Sequence, residues 1–176
     1  MPNQRSDAEP LRERKGEHPY GDAGQVVLLI LFLIVWMPDS FFLHESTFLS
    51  NYIPTYIRIL VLVLTIATAL ILFKSGPVVI SHQQRPTAVV TNGAFRYVRH
   101  PLYLAGILGY LGSAISTFSL ASLALVLGIF IFYDYIAGYE EGLLEAKFGN
   151  KYRTHKDRTG KWVPRISTER LSKPWT

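Results

Sequence analysis

Four long apolar runs constrain the fold of this chain more than any other feature of its sequence. They cover residues 26–37 with an extension to 43, 57–73, 102–116 and 120–138 of a 176-residue chain that is 49% apolar. Each run is close to the ~20 residues that a helix needs to cross ~30 Å of hydrocarbon, although Pro38-Asp39 interrupts the first and the third is short. The pattern predicts an all-α, polytopic membrane helix bundle with about four transmembrane helices. A soluble protein with unusually apolar buried helices is the alternative.

Lysine and arginine are distributed unevenly around these runs. Of the 18 basic residues, only Arg58 lies outside the N-terminal segment, the loop between the second and third runs, and the segment after the fourth. Cytoplasmic loops retain positive charge during insertion, so both termini and the middle loop are predicted to face the cytoplasm. The net charge of +5 suits anionic lipid headgroups and requires no nucleic-acid partner. The membrane is expected to be a prokaryotic plasma membrane or the endoplasmic reticulum.

The N-terminal residues 1–24 differ in character from the rest of the chain. They are polar, contain Pro10 and Pro19, and lack the apolar core of a secretory signal peptide. We expect a cytoplasmic tail there. Residues 25–176 contain no repeat or linker that would separate two domains, so they are predicted to form a single membrane domain.

The chain has no cysteine. This excludes disulfides, thiolate nucleophiles and the usual cysteine-based metal sites, and no metal is predicted. Chemistry must come from histidine, glutamate, tyrosine or arginine side chains, or from a bound cofactor.

Polar and aromatic residues cluster where the third apolar run begins. Asn92-Gly93 predicts a turn, and Pro101 suits the first turn of a helix, where its missing N–H costs little. His100 and Tyr103 then share one face of that helix, beside free backbone donors that can bind a carboxylate or a phosphate. This end of the helix is therefore predicted to hold an anionic group. Simple anchoring of the two rings at the membrane interface is the alternative.

Two adjacent glutamates, Glu140 and Glu141, follow the fourth run. Adjacent residues point ~100° apart on a helix, so one carboxylate can face inward while the other is solvated. An inward carboxylate near hydrocarbon needs a cation such as Arg99 or a positively charged ligand. The alternative is an interfacial ion pair. Asp134 is a weaker candidate, because it could pair with another helix or merely mark the membrane boundary.

Glycines and the C-terminal segment add further expectations. Gly106, Gly109 and Gly112 predict one flat ridge for close helix packing, and a cofactor lying against the bare backbone there is the alternative. Gly149-Asn150 predicts the end of the fourth helix. Trp162 predicts either a tail folded over a planar ligand or an interfacial anchor.

Three blocks of sequence follow one another in a specific order. They are Thr91-x-Gly-x-Phe-Arg-Tyr-Val-Arg-His-Pro-Leu-Tyr, then Glu-Glu-x-Leu-Leu-x-x-x-Phe-Gly-x-x-Tyr from residue 140, then Thr-Gly-x-x-x-Pro from residue 159. Over residues 91–164 the chain resembles the isoprenylcysteine carboxyl methyltransferase family and its phospholipid methyltransferase relatives. The resemblance implies a membrane methyltransferase that uses S-adenosylmethionine, bound at a cytoplasmic C-terminal segment. It also implies a lipid or prenylated acceptor that arrives from the bilayer.

The resemblance also implies roles for particular residues. Pocket residues for the methionine part of the cofactor would be His100, Pro101, Leu102 and Tyr103, with Gly106 as a further candidate contact. Glu140 would contact the cofactor amine, and residues 148–164, including Tyr152 and Pro164, would close over adenosine. Glu141 would face the reacting centre, and Glu141 or Tyr139 could accept or relay the proton of an amine acceptor.

One departure from the family pattern concerns the acceptor. Carboxyl-methylating members place an arginine five residues before the second glutamate, where this chain has Ile136, and Arg99 is the nearest candidate replacement. Tyr139-Glu140-Glu141 is more similar to phospholipid N-methylating members, and the two glutamates would repel an unpaired carboxylate. The acceptor class stays open between an amine and a carboxylate. A nicotinamide-dependent sterol-type reductase and a non-catalytic ligand-binding membrane protein are the rival interpretations.

Overall fold

The computed structural model of the protein describes residues 21–75 and 89–165, and these residues form an all-helical bundle. Its helices are α1 (Gly21–Pro38), α2 (Thr55–Ser75), α3 (Pro101–Thr117), α4 (Leu120–Phe148) and α5 (Asn150–Arg158). The predicted all-α class is confirmed. Residues 1–20 of the predicted tail lie outside the described residues. The last four residues of that tail, 21–24, belong to α1.

Three helices within the described ranges are long and apolar enough to cross a membrane. They are Ala23–Leu43, Thr55–Ser75 and Leu120–Phe148. The predicted third span is α3, which has 17 residues and is therefore about 25 Å long. It packs against both α2 and α4. These helices are those of an integral membrane protein, and about four spans fit the bundle.

The first span continues past Pro38-Asp39 to Leu43, the extension that the sequence predicts. The chain continues through Pro38 as a π-helical segment, Asp39–Leu43, and ends at His44 with a positive φ of 57°. Asp39 is buried and accepts hydrogen bonds from Ser46 Oγ and Ser119 Oγ, each 2.5 Å long. The carboxylate is thus satisfied by protein hydroxyls, which removes the cost of continuing the helix past it.

The turn between α3 and α4 is tight, because only residues 118 and 119 separate the two helices. Phe118 adopts a left-handed conformation with φ of 52°, and Ser119 caps α4 by accepting a hydrogen bond from Ser122 N at 3.1 Å. A serine cap satisfies an amide that has no partner within the helix. The two helices are consequently antiparallel neighbours, and the N-terminal end of α3 lies beside the C-terminal part of α4.

The glycines of α3 do not form the single ridge that their spacing predicts. A side chain at Gly112 would overlap Thr65 of α2, whereas one at Gly106 would meet the Tyr133 hydroxyl of α4 at 3.5 Å. A side chain at Gly109 would meet nothing within 4 Å. Each step of three residues turns the helix by 60° less than a full circle, so Gly106 and Gly112 face directions about 120° apart. Close packing is thus confirmed only at Gly112.

The fourth helix ends where Gly149 predicts. Gly149 has a φ of +56°, a conformation that side chains disfavour, and α5 begins at the next residue. Behind this turn, the bundle core joins α1, α3 and α4 through a buried cluster of Phe32, Ile107, Tyr110, Val126, Ile129 and Tyr133. The core fixes α3 against α4. It therefore determines which residues meet where the N-terminal end of α3 lies beside the C-terminal part of α4.

Candidate functional site

The start of α3 carries the first part of the site. Pro101 is the first helical residue, as predicted, and His100 precedes it with a non-helical backbone. The first bond within the helix runs from Leu104 N to His100 O at 3.0 Å, which leaves the amides of Leu102 and Tyr103 before it. The His100 and Tyr103 rings are stacked, with centroids 5.6 Å apart and an interplanar angle of 3°. Backbone donors and two aromatic rings therefore lie side by side.

Glu141 is the most enclosed ionisable side chain at this end of α4. Its Oε1 accepts a hydrogen bond from Arg99 Nε at 2.8 Å and lies 3.3 Å from His100 Nε2. Its Oε2 lies 3.4 Å from Lys156 Nζ. Glu141 is 5% exposed, so three basic groups compensate a carboxylate that water hardly reaches.

Glu140 points in a different direction and has a different environment. Its Oε1 accepts a hydrogen bond from the Tyr103 hydroxyl at 2.5 Å, and its Oε2 lies 3.8 Å from His100 Nδ1. The His100 ring therefore lies between the two glutamates, with one nitrogen towards each. Through these two contacts the Glu140 carboxylate lies beside the stacked rings at the start of α3.

Arg99 links three parts of the chain. Besides Glu141, its Nη1 donates to the backbone oxygens of Lys156 at 3.1 Å and Thr159 at 2.6 Å. Its backbone N donates to Gly160 O at 2.9 Å. The guanidinium is thus committed to holding α4, α5 and the tail against the start of α3.

The helix α5 contributes two buried aromatic side chains, Tyr152 and His155. Burial raises the pKa of Tyr152 above its ordinary value, and the Glu141 carboxylate adds to this effect. Burial, followed by the nearby Arg99 guanidinium, lowers the pKa of His155 to about 4. His155 Nδ1 has no hydrogen-bond partner among the described residues. At neutral pH the Tyr152 and His155 side chains are therefore both uncharged.

The tail after α5, residues 159–164, crosses the site and is referred to below as the strap. Trp162 Nε1 and Lys161 Nζ both donate to Asp134 Oδ1, at 2.8 and 2.6 Å. The Trp162 ring centroid lies 6.0 Å from that of His100 and 5.6 Å from that of Phe130. The strap therefore places an indole beside the histidine.

An apolar groove lies next to this cluster, between α2 and α3. Its volume is about 590 Å³, within the range of small-molecule sites. The residues that line it include Leu72, Val98, Leu104, Leu108, Arg96 and Pro164. Val98 and Leu104 lie on either side of His100 in the sequence, so the groove and the polar cluster share one wall.

The structure brings together most of the residues that the sequence singles out. Those in mutual contact are Arg99, His100, Tyr103, Glu140 and Glu141, with Tyr152 packed close by. Pro101 is buried beneath them, and Leu102 is partly buried beside it. Pro164 instead lines the groove, Gly106 faces Tyr133, and Tyr139 is largely exposed.

Sequence reasoning missed three contributors to the cluster: Lys156, Lys161 and His155. Tyr152 and His155 are three residues apart on α5, a spacing that indicates one buried helical face, and this signal was available. The pairing of Lys161 with Asp134 carries no local signal, because the two residues are 27 positions apart.

The sequence of the chain is similar to that of known proteins. The chain is 33% identical over 94 residues to the cobalt-zinc-cadmium resistance protein CzcN of Cupriavidus metallidurans. The matched region is 53% of this chain and 43% of that protein, so this chain spans less than half of its relative. The family model for phospholipid methyltransferases matches residues 53–151, which include α2, α3, α4 and both glutamates. The chain therefore belongs to the phospholipid methyltransferase family.

Proposed function

We propose that this protein transfers a methyl group from S-adenosylmethionine to a lipophilic acceptor held in the membrane. The observation that carries the proposal is the Tyr103–Glu140–His100 cluster at the start of α3. It combines a carboxylate, two stacked rings and the first amides of a helix. S-adenosylmethionine carries an amine, a carboxylate and a planar base, so it offers a complement to each of these elements.

The chain's own residues would bind the cofactor as follows. Glu140 pairs with the amine, and the amides of Leu102 and Tyr103 receive the carboxylate at the positive end of α3. The indole of Trp162 and the rings beside it provide apolar faces for adenine. When bound, the cofactor supplies an activated methyl group on a sulfonium, and the protein aligns it with the acceptor.

Glu141 is proposed to act through its neighbours rather than on the methyl group. Arg99, His100 and Lys156 hold its carboxylate within 3.4 Å. A base that is so strongly paired gives up much of its capacity to accept a proton. In this proposal Glu141 and Arg99 orient His100, and Tyr139, which is accessible to water, relays the proton of an amine acceptor.

The groove between α2 and α3 supports a lipophilic acceptor. Its walls are mostly apolar, and α2 leaves its apolar residues open to the bilayer. Arg96 lies among the lining residues, so an anionic headgroup would meet a cation at the groove.

The charges of the site favour an amine over a carboxylate as the methyl acceptor. A carboxylate acceptor would lie close to two glutamates, and Arg99 is already committed to Glu141 and two backbone oxygens. Ile136, where carboxyl-methylating relatives have arginine, is 1% exposed. No cation at that position is available to offset the repulsion. We infer a lipid amine, such as an aminophospholipid, as the acceptor.

Isothermal titration calorimetry of the purified, detergent-solubilised protein with S-adenosylhomocysteine tests the proposal. We expect saturable binding that His100→Ala and Glu140→Gln each weaken at least tenfold, about 1.4 kcal/mol. Tyr56→Phe, at an exposed residue of the opposite end of the bundle, is the control. Thermal stabilisation by NADPH with none by S-adenosylhomocysteine would favour a reductase. No response to either ligand from folded protein would favour a non-catalytic role.

A further inference from the structure

The strap is fixed at one end. Thr159 is fully buried, and its backbone oxygen accepts a hydrogen bond from the Arg99 guanidinium. Gly160 pairs with Val98 in an isolated parallel β-bridge, and the backbone oxygen of Gly160 accepts a hydrogen bond from Arg99 N. A side chain at Gly160 would overlap the backbone oxygen of Val163, so only glycine permits this turn. The beginning of the strap is therefore held by buried backbone contacts.

The other end of the strap is held differently. Residues 161 and 162 reach α4 through a single carboxylate oxygen, Asp134 Oδ1, with a further bond from Lys161 Nζ to Asp134 O at 2.9 Å. The Asp134 side chain is 48% exposed. Ion pairs that water reaches are weak and exchange readily. The contact can therefore open while the buried base of the strap remains in place.

Opening at this contact would change the site directly. Trp162 is the residue of the strap that packs against His100 and Phe130. Without its bond to Asp134, the indole loses the interaction that determines its position over α4. The His100 and Tyr103 faces would then be accessible from the cytoplasmic side.

We propose that Asp134 is a positioning residue that latches Trp162 over the cofactor site and so controls cofactor entry and release. This inference rests on the proposed function, because it takes the ligand beside His100 to be S-adenosylmethionine. The open latch admits the cofactor. When Trp162 is bonded to Asp134, the indole would cover the cofactor and exclude water from its sulfonium.

Two measurements on Asp134→Leu test the latch. Leucine suits an apolar helix and removes both side-chain bonds to the strap. We expect trypsin to cleave after Lys161 about tenfold faster than in the wild type, because the released lysine becomes accessible. We also expect the Kd for S-adenosylhomocysteine to rise about tenfold, mainly through faster dissociation. Asp134→Glu should restore part of both effects, and the KM of the lipid acceptor should not change.

Asp157→Leu is the matched control, since it removes an exposed carboxylate of α5 whose backbone oxygen, rather than its side chain, accepts a hydrogen bond from Arg165. Unchanged cleavage and unchanged affinity in Asp134→Leu would overturn the latch. An equal loss of cofactor and acceptor affinity would also overturn it, by indicating general disruption. Faster cleavage in the variant, with no S-adenosylhomocysteine binding by the wild type, would overturn the role in cofactor capture and the proposed function together. The physical contact alone would then stand.

Discussion

The Arg99 guanidinium and the Glu141 carboxylate meet at 2.8 Å with side chains that are 10% and 7% exposed. This pair joins the segment before α3 to the C-terminal part of α4. Removing one partner of a buried pair leaves the other charge without compensation. Arg99→Met is therefore expected to lower the free energy of unfolding by about 3 kcal/mol, measured by reversible unfolding in mixed micelles.

Arg153→Met is the control for that measurement. Arg153 also pairs with a glutamate, Glu145, at 2.7 Å, but its side chain is 64% exposed. Solvent screening makes such a pair weak, so unfolding should be unchanged. Equal losses in the two variants would contradict the special role of the buried pair.

His155 should make stability depend on pH. Its pKa is lowered to about 4 in the folded protein, while the unfolded chain titrates near ~6.5. Between these values the unfolded state binds more protons, so stability falls as the pH drops from ~6.5 to 4, by up to about 3 kcal/mol. Above pH 7 the contribution is constant.

His155→Phe keeps an aromatic ring beside Tyr152 and removes the titrating group. Its melting temperature relative to the wild type should rise as the pH is lowered from 7.5 to 4.5. Differential scanning fluorimetry in detergent is sufficient to measure this difference. Parallel profiles for the two proteins would count against a neutral buried histidine.

Tyr103→Phe removes the hydroxyl that donates to Glu140 but keeps the ring stacked on His100. A hydrogen bond to a charged group is worth roughly 1.5–3 kcal/mol, so S-adenosylhomocysteine affinity should fall about tenfold or more. Calorimetry with Tyr56→Phe as the control measures the effect. An unchanged Kd would remove the Tyr103–Glu140 pair from the proposed cofactor site.

Leu104→Trp and Leu108→Trp should fill the groove between α2 and α3. We expect the KM of a lipid amine acceptor to rise while cofactor affinity stays constant, because the groove contacts neither glutamate. Leu127→Trp, on an exposed face of α4, adds the same bulk outside the groove. If all three variants behave alike, the acceptor chain does not bind in the groove.

Gly112→Ala and Gly109→Ala form a matched pair within α3. Alanine at 112 would overlap Thr65 and force α2 away, whereas alanine at 109 meets open space. Gly109→Ala should stabilise the helix by roughly 0.5–1 kcal/mol. Gly112→Ala should lower the melting temperature. The opposite order would contradict the packing of α2 on α3.

Much of this architecture could be predicted from local sequence signals. Pro101 and Gly149 mark helix boundaries through backbone restrictions that act within one or two residues. The antiparallel α3–α4 hairpin followed from a very short connection. Because that hairpin brings residues 99–103 and 140–141 to one end, the main cluster was also accessible from the sequence.

What could not be predicted depends on distant partners or on helix rotation. Asp39 satisfies its charge partly with Ser119, 80 residues away, and no local signal identifies that partner. The commitment of Arg99 to the oxygens of Lys156 and Thr159 requires the tail to be placed first. The glycines of α3 share a spacing but not a face, and only the positions of α2 and α4 determine which of them are packed.

The Val98–Gly160 bridge joins residues that are separated by the whole of α3, α4 and α5. During synthesis, Gly160 leaves the ribosome long after Val98 has reached the membrane surface. The apolar hairpin can therefore insert before the cluster around His100 is enclosed. The bridge can form only after the whole of α3, α4 and α5 has been synthesised, so the cluster around His100 is completed late in the synthesis of this region.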